Sequence, residues 1–290
     1  MPGDDFIPPF LPYLLLVIAS LAFIALSWFK TKSLKLIPFY ICIAGAVYIF
    51  ELIIFVLLNS YIYKPGILHN SFYDSALGAI VSNGFIVPST CAFIAVYGVR
   101  FRWILLIAAG FMGIEQAFIH LGIFEHHWWR TIYTGIGLTL LFPMGKWLWN
   151  SLLRPDQPYL FRFVMLYVIN VSLQGTVMSC FLLIFYRIGF RPGWFEDPAR
   201  DNLAFATLIV HIDSILFALL VSLRGNWIWK AIVIVSLACG YWWLIRRDIL
   251  YTSGIGLVIL LLMLQIVVIQ LLGRLYRIIT TTMLSRRREC

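Results

Sequence analysis

Nine apolar runs, most of them about twenty residues long, fill this chain: Phe10–Phe29, Leu36–Leu58, Ser75–Val99, Trp103–Phe124, Ile132–Trp149, Phe161–Tyr186, Leu203–Leu223, Trp227–Ile245 and Tyr251–Leu272. A helix crossing a bilayer needs about 20 predominantly apolar residues. The runs are continuously apolar, without the period-two alternation of barrel strands, so each predicts a helix. Only 12% of the residues are charged and 62% are hydrophobic. A soluble fold carries about 25% charged residues, and with half that share it could not cover its apolar surface. The sequence therefore predicts an all-α membrane protein of about nine transmembrane helices with short connections.

The net charge of +9 does not indicate nucleic acid. The basic residues stand in small clusters between apolar runs rather than in one stripe, and they serve better as topology signals. With the N-terminus outside, the inner side holds fifteen Lys and Arg residues, including Lys30, Lys32, Lys35, Arg274 and Arg277, and the outer side holds seven, including Lys64, Arg191 and Arg200. The positive-inside rule then selects N-out, C-in. The basic tail from Arg274 onward would face anionic cytoplasmic lipid. Asp4 and Asp5 stand where a signal peptide has its basic region, so the first run is expected to remain as a span. The five cysteines form no CxxC pair, and neither a disulfide framework nor a structural zinc site is indicated.

An internal repeat is legible. KPGILHNSFYD at Lys64–Asp74 aligns without gaps on RPGWFEDPARD at Arg191–Asp201. Arg100–Trp103 aligns on Arg224–Trp227, and YTGIGL from Tyr133 on YTSGIGL from Tyr251. On this alignment Cys239 stands opposite Glu115. The predicted organisation is a first helix and basic loop (1–35), a four-helix repeat (36–155), a second four-helix repeat (156–273) and a basic tail (274–290). An even number of helices gives both copies the same orientation, the parallel class of repeat, in which ligand sites lie at the repeat interface.

The stretch Asp74–Leu138 carries DSALGAIVSN and then IEQAFIHLGIFEHHWWRTIYTGIGL, with an acid late in an apolar helix, a glycine, a His/Trp turn and an aromatic-Thr helix start. It resembles a family of uncharacterised small multi-pass membrane proteins from spore-forming Firmicutes. The resemblance implies a bacterial plasma-membrane protein and brings no activity with it.

Ionisable groups inside a bilayer cost about 2.5–3.5 kcal/mol each on insertion scales, so each needs a reason. The candidate binding residues are Glu51, Asp74, Glu115, His120, His211 and Asp213, with His69 near a span end. An outer interfacial turn follows, formed by Glu125, His126, His127, Trp128, Trp129 and Arg130. At 1.5 Å per residue, Glu115 lies about 18 Å from the inner end of its span, and the other buried acids and imidazoles also fall in the middle or outer half. This one-sidedness predicts a polar pocket opening outward. Glu51, Glu115, His126 or His127, and His211 or Asp213 would make an acceptable donor set for a divalent cation. No cofactor is otherwise expected. Equally, Glu115 could be a neutral acid bonded to a neighbouring helix through Gln116, Asn83, Asn170 or Gln174, and the His/Trp turn could be an aromatic anchor alone.

No Walker motif, GxGxxG, GxSxG, HExxH or EExxxR occurs, which weighs against an enzyme. Three readings stay open. The first is binding or transport of a small solute or ion between the repeats. The second is a metal-assisted membrane enzyme acting on a lipid-like substrate. The third is a structural or signalling protein whose buried acids only specify packing.

Overall fold

A computed structural model describes residues 8–184, 187–223 and 225–281. Helix α1 spans Phe10–Thr31 and α2 spans Leu36–Glu51, continued by a π-helical segment, Leu52–Leu57. Strand β1 is Tyr61–Tyr63. A long bent helix follows: α3 (Ser71–Ala79), a second π-helical segment (Ile80–Ile86) and α4 (Val87–Tyr97). Next come α5 (Phe101–His120), β2 (Phe124–His126) and α6 (Thr131–Leu153). The second half runs α7 (Tyr159–Ile184), β3 (Ile188–Phe190), α8 (Pro198–Ser222), α9 (Trp227–Arg246), β4 (Leu250–Thr252) and α10 (Ile255–Thr280).

Eight helical stretches among the described residues are long and apolar enough to cross a membrane. Many of their large apolar side chains stay exposed, Leu140, Leu160 and Val267 among them, as helices facing lipid require. Helix α6 has spanning length at 23 residues, but its Thr- and Gly-rich start, Lys146 and Asn150 keep it outside that set. It packs against α4 and α5.

The sequence reading missed four short strands. Phe124 and Tyr251, placed inside runs, lie in β2 and β4, and α5 stops at His120. The pairs β1–β2 and β3–β4 are antiparallel, Tyr61 opposite His126 and Ile188 opposite Thr252. Both cap the same end of the helices. Three residues are too few to show alternation, so these strands leave no pattern in the sequence.

The same local construction occurs twice. Asp74 accepts the backbone N–H groups of Gly66, Ile67 and Leu68 at 2.8–2.9 Å. Asp201 does the same for Gly193, Trp194 and Phe195 at 2.7–3.1 Å. Gly66 and Gly193 both have positive φ, +69° and +80°, where a side chain would be strained. Ser75 accepts the N–H of Tyr63, and Asn202 that of Phe190. Helices α5 and α9, each of 20 residues, end in one pattern: Ile123 N–H bonds Phe118 C=O and Ile249 N–H bonds Leu244 C=O.

These matches correct the register of the other two sequence blocks. Trp103 is the third residue of α5, whereas Trp227 is the first of α9. Tyr133 and Thr134 are helical, whereas Tyr251 and Thr252 are in β4. Tyr133 lies beyond the end of β2 and inside α6, whereas Tyr251 lies within β4, so the aligned Tyr-Thr pairs are not structural equivalents. Counted along α5 and α9, the residue opposite Glu115 is Tyr241 rather than Cys239.

The halves meet chiefly through α2 and α7. At Gly45 a Cβ would stand 2.0 Å from the Val168 carbonyl oxygen, so only glycine allows this approach. Across the same seam Arg200 donates to the Val56 and Leu57 carbonyls at 2.8 and 2.7 Å, capping the first π segment. The second π segment has a visible cause. Pro88 lacks the N–H that would bond the Gly84 carbonyl, and the Tyr40 hydroxyl donates to that carbonyl instead, at 2.7 Å.

Candidate functional site

A partly open cavity of about 430 Å³ lies inside the first half, beneath the β1–β2 pair. Glu51 and Glu115 both line it, from the last turn of α2 and the second half of α5. The remaining polar lining includes Tyr61, Tyr63, Asn83 and Thr134, and the rest is almost wholly apolar or aromatic. Among the described residues, no lysine or arginine lines it. Tyr61 and Tyr63, two apart in β1, project from one face of the strand and reach the cavity together.

The two acids are held differently. Glu51 is buried, and one of its oxygens accepts the Tyr61 hydroxyl at 2.5 Å. Its other oxygen, Oε2, and the Asn83 amide nitrogen make no hydrogen bond of good geometry, although the Asn83 side chain stands beside the Glu51 carboxyl. Glu115 is fully engaged. Oε1 meets His126 Nε2 at 2.8 Å, and Oε2 accepts the Thr134 hydroxyl at 2.5 Å. Trp129 Nε1–H donates to the same Thr134 oxygen at 2.9 Å, which fixes the indole at the cavity wall. Burial, joined by the nearby charges of Glu51, Tyr63 and Glu115, holds the Tyr61 phenol well above its ordinary range. Tyr61 therefore stays a neutral phenol beside Glu51.

Both π segments border the site. Glu51 precedes the first and Asn83 lies in the second. Such segments widen a helix locally and concentrate at functional sites. At Gly84 a Cβ would meet the Tyr48 hydroxyl at 2.6 Å, so glycine keeps this turn close to α2. A smaller cavity of about 80 Å³ lies across the seam, between the first half and helices α7 and α8. Glu51 and Asn83 line this one as well and form the partition between the two spaces. A third hollow, of about 420 Å³, lies between α8, α9 and α10 and is lined by Lys230, Arg274 and Arg277.

The structure thus brings Glu51 and Glu115 together and disperses the other candidates. Asp74 spends both oxygens on three backbone N–H groups, a structural cap. His120 is exposed and bonds the Gln116 carbonyl of its own helix. His211 likewise bonds the Thr207 carbonyl, and Asp213 is buried in the second half with Oδ2 unpartnered. Neither lines the main cavity. His69 is exposed in the loop before α3. Glu115 finds its partners in His126 and Thr134, not in Gln116, Asn83, Asn170 or Gln174, because the chain after α5 folds back over its end. Asn170 and Gln174 bond Ser214 and Gln265 instead.

Within the interfacial turn, Glu125 pairs with Lys64. His127 and Trp128 bond the Asn59 and Leu58 carbonyls at the end of the first π segment, and Arg130 is the N-cap of α6. The pocket expected between the halves is instead mostly inside the first. Among the described residues, no three His, Cys, Asp or Glu side chains gather as a metal site requires.

Tyr61, Tyr63 and Thr134 were absent from the sequence-based candidates. The YIY spacing of β1 was the available signal for the tyrosines. Thr134 had none, because its role depends on the fold-back of the turn. Compared with family models, curated proteins and solved structures, the chain matches none of them.

Proposed function

We propose that this multi-pass membrane protein binds a small amphipathic solute in the first-half cavity, reached sideways from the bilayer. The observation that carries this reading is the cavity's rim. Phe50, Ile114, Leu140 and Met144 line the space and are also exposed on the apolar outside of the helices, while Glu51 and Glu115 stand in the same cavity. A volume of about 430 Å³ falls in the range of small-molecule sites, about 300–1,000 Å³.

The twofold occurrence of the capped turn, strand pair and helix order supports two parallel four-helix repeats preceded by α1, with α6 as a ninth crossing. The fifteen-to-seven split of basic residues supports N-out, C-in. That orientation puts the strand pairs and the cavity mouth in the outer half. The likeness of Asp74–Leu138 to membrane proteins of spore-forming Firmicutes supports a bacterial plasma membrane. Transport is a second reading, favoured by one feature: Glu51 and Asn83 stand between the main cavity and the space at the seam, where a passing solute would be handed on.

Photolabelling in lipid nanodiscs tests cavity occupancy. A phospholipid or single-chain amphiphile carrying a diazirine in its tail should label Val47, Val87 and Leu138, buried lining residues that bulk lipid does not touch. Gly137→Phe should abolish that labelling, since Gly137 lines the cavity and its Cβ position meets nothing within 4 Å. Labelling confined to lipid-facing residues such as Met263 and Val267 would contradict the proposal.

A further inference from the structure

Resting on the cavity-binding reading, the geometry points to the ligand's chemistry: we infer that the cavity takes a single-chain amphiphile with a cationic ammonium head. The head would sit against Glu51 among four aromatic rings, and the chain would leave through the apolar rim.

Three observations converge. The first is charge. Among the described residues the lining contains two carboxylic acids and no basic side chain. Glu115 is bonded on both oxygens and has an imidazole beside it, whereas one Glu51 oxygen accepts no well-formed hydrogen bond and has only the Asn83 amide near it. Glu51 and Asn83 are only 9% and 7% exposed. A buried acceptor left without a donor is destabilised, and the positive charge of a bound cation would offset that.

The second is the wall. The Trp129 centroid lies 6.2 Å from Phe50, 5.7 Å from Tyr61 and 5.4 Å from Tyr133, at interplanar angles of 71°, 81° and 76°. All four rings line the cavity. The other three rings thus stand near-perpendicular to the indole around one part of the wall, and ammonium groups are drawn to aromatic faces within about 6 Å. A quaternary head needs no hydrogen-bond acceptors, which suits a wall with so few polar groups. The third is the exit. The rim is apolar and faces lipid, so the chain can remain in the bilayer while the head enters the protein.

Head and tail contribute separately, and three tail-matched probes separate them: decyltrimethylammonium, decyl sulfate and decanol, with tetramethylammonium as head without tail. The full chain in nanodiscs of uncharged lipid should bind decyltrimethylammonium saturably, one per chain. Decyl sulfate and decanol should bind at least tenfold more weakly. Tetramethylammonium should fail to compete at equal concentration, which marks the ligand as membrane-borne rather than a free aqueous cation.

Glu51→Gln keeps an acceptor for Tyr61 and removes the charge, and it should weaken decyltrimethylammonium at least tenfold. Trp129→Phe keeps a ring and should weaken it severalfold. Equal binding of the three decyl probes or undiminished binding to Glu51→Gln would overturn the ammonium head, and tight binding of tetramethylammonium alone would overturn the membrane-borne chain. Under any of those results, loss of probe binding in Gly137→Phe leaves the cavity reading intact. Binding unchanged in Gly137→Phe would remove both.

Discussion

The two halves share a scaffold and differ at its centre. Counting back ten residues from the first strand of each half, Glu51 stands where the second half has Met178; counting on nine from the shared aspartates, Asn83 stands where it has Val210. The fifteenth residue of α5 is Glu115 and that of α9 is Tyr241, while Tyr61 and Tyr63 correspond to Ile188 and Phe190. All five second-half residues are buried in one continuous apolar cluster. The first-half set lines a cavity instead. Helices α7 and α8 run as α-helix through their described residues, whereas their first-half counterparts each contain a π segment. At these positions one half is filled and the other opened, which separates what folding needs from what it does not: the capped turns recur, and the two glutamates, the Asn83 amide and the widened helices do not, although the second half buries an acid elsewhere, Asp213.

The largest expected effect falls on what the halves share. Asp74→Ala and Asp201→Ala each strip three backbone N–H groups of a buried acceptor, and each should lower unfolding stability by about 2–3 kcal/mol. Thermal unfolding in detergent checks this, and a large difference between the two would break the equivalence of the turns. The next effect tests what they do not share. Val210→Asn buries an unpartnered amide in the filled half and should cost about 2 kcal/mol. Asn83→Val removes from the open half a donor that makes no well-formed hydrogen bond and should cost less than about 0.5 kcal/mol. Equal losses would mean that the polar lining braces the first half.

The smallest effect concerns Lys64 and Glu125, a pair the second strand pair lacks. The Lys64 hydrogen bond and charge hold the Glu125 carboxyl below its ordinary value of 4.5. A depressed folded value means that the stabilisation is present above the unfolded value and is lost as pH falls below it and through the folded one. The protection of the Lys64 amide, whose N–H bonds Ile123, corrected for the intrinsic pH dependence of exchange, should fall slightly over that window in the wild type and not in Lys64→Gln. Exposure keeps the effect small.

Much of this architecture was legible in the residues. Apolar runs of spanning length announce helices, and the KPG…D and RPG…D blocks announce a shared local element, whose glycine and aspartate are what the capped turn requires. Glu51 and Glu115 were visible as acids too deep to be ordinary. Other features have no sequence signature. A π segment has the same composition as an α-helix. His126 reaches Glu115 only because β2 folds back against β1, and the His/Trp turn alone reads as an interfacial anchor. Asp74 was legible as an acid at a span end but not as one already saturated by its own loop. The shared Arg-Trp and Tyr-Thr words misled, since short motifs recur at helix starts whatever the register.

The central claim is that the first half keeps its polar core for a ligand rather than for stability. Glu51→Met with Tyr61→Phe tests it most directly, since removing both partners leaves neither of them orphaned, and the stability and probe binding of this double variant can be measured on one preparation. The account predicts unfolding stability equal to or above the wild type, with decyltrimethylammonium binding lost. A marked loss of stability with binding retained would contradict it and make the Glu51–Tyr61 pair a brace.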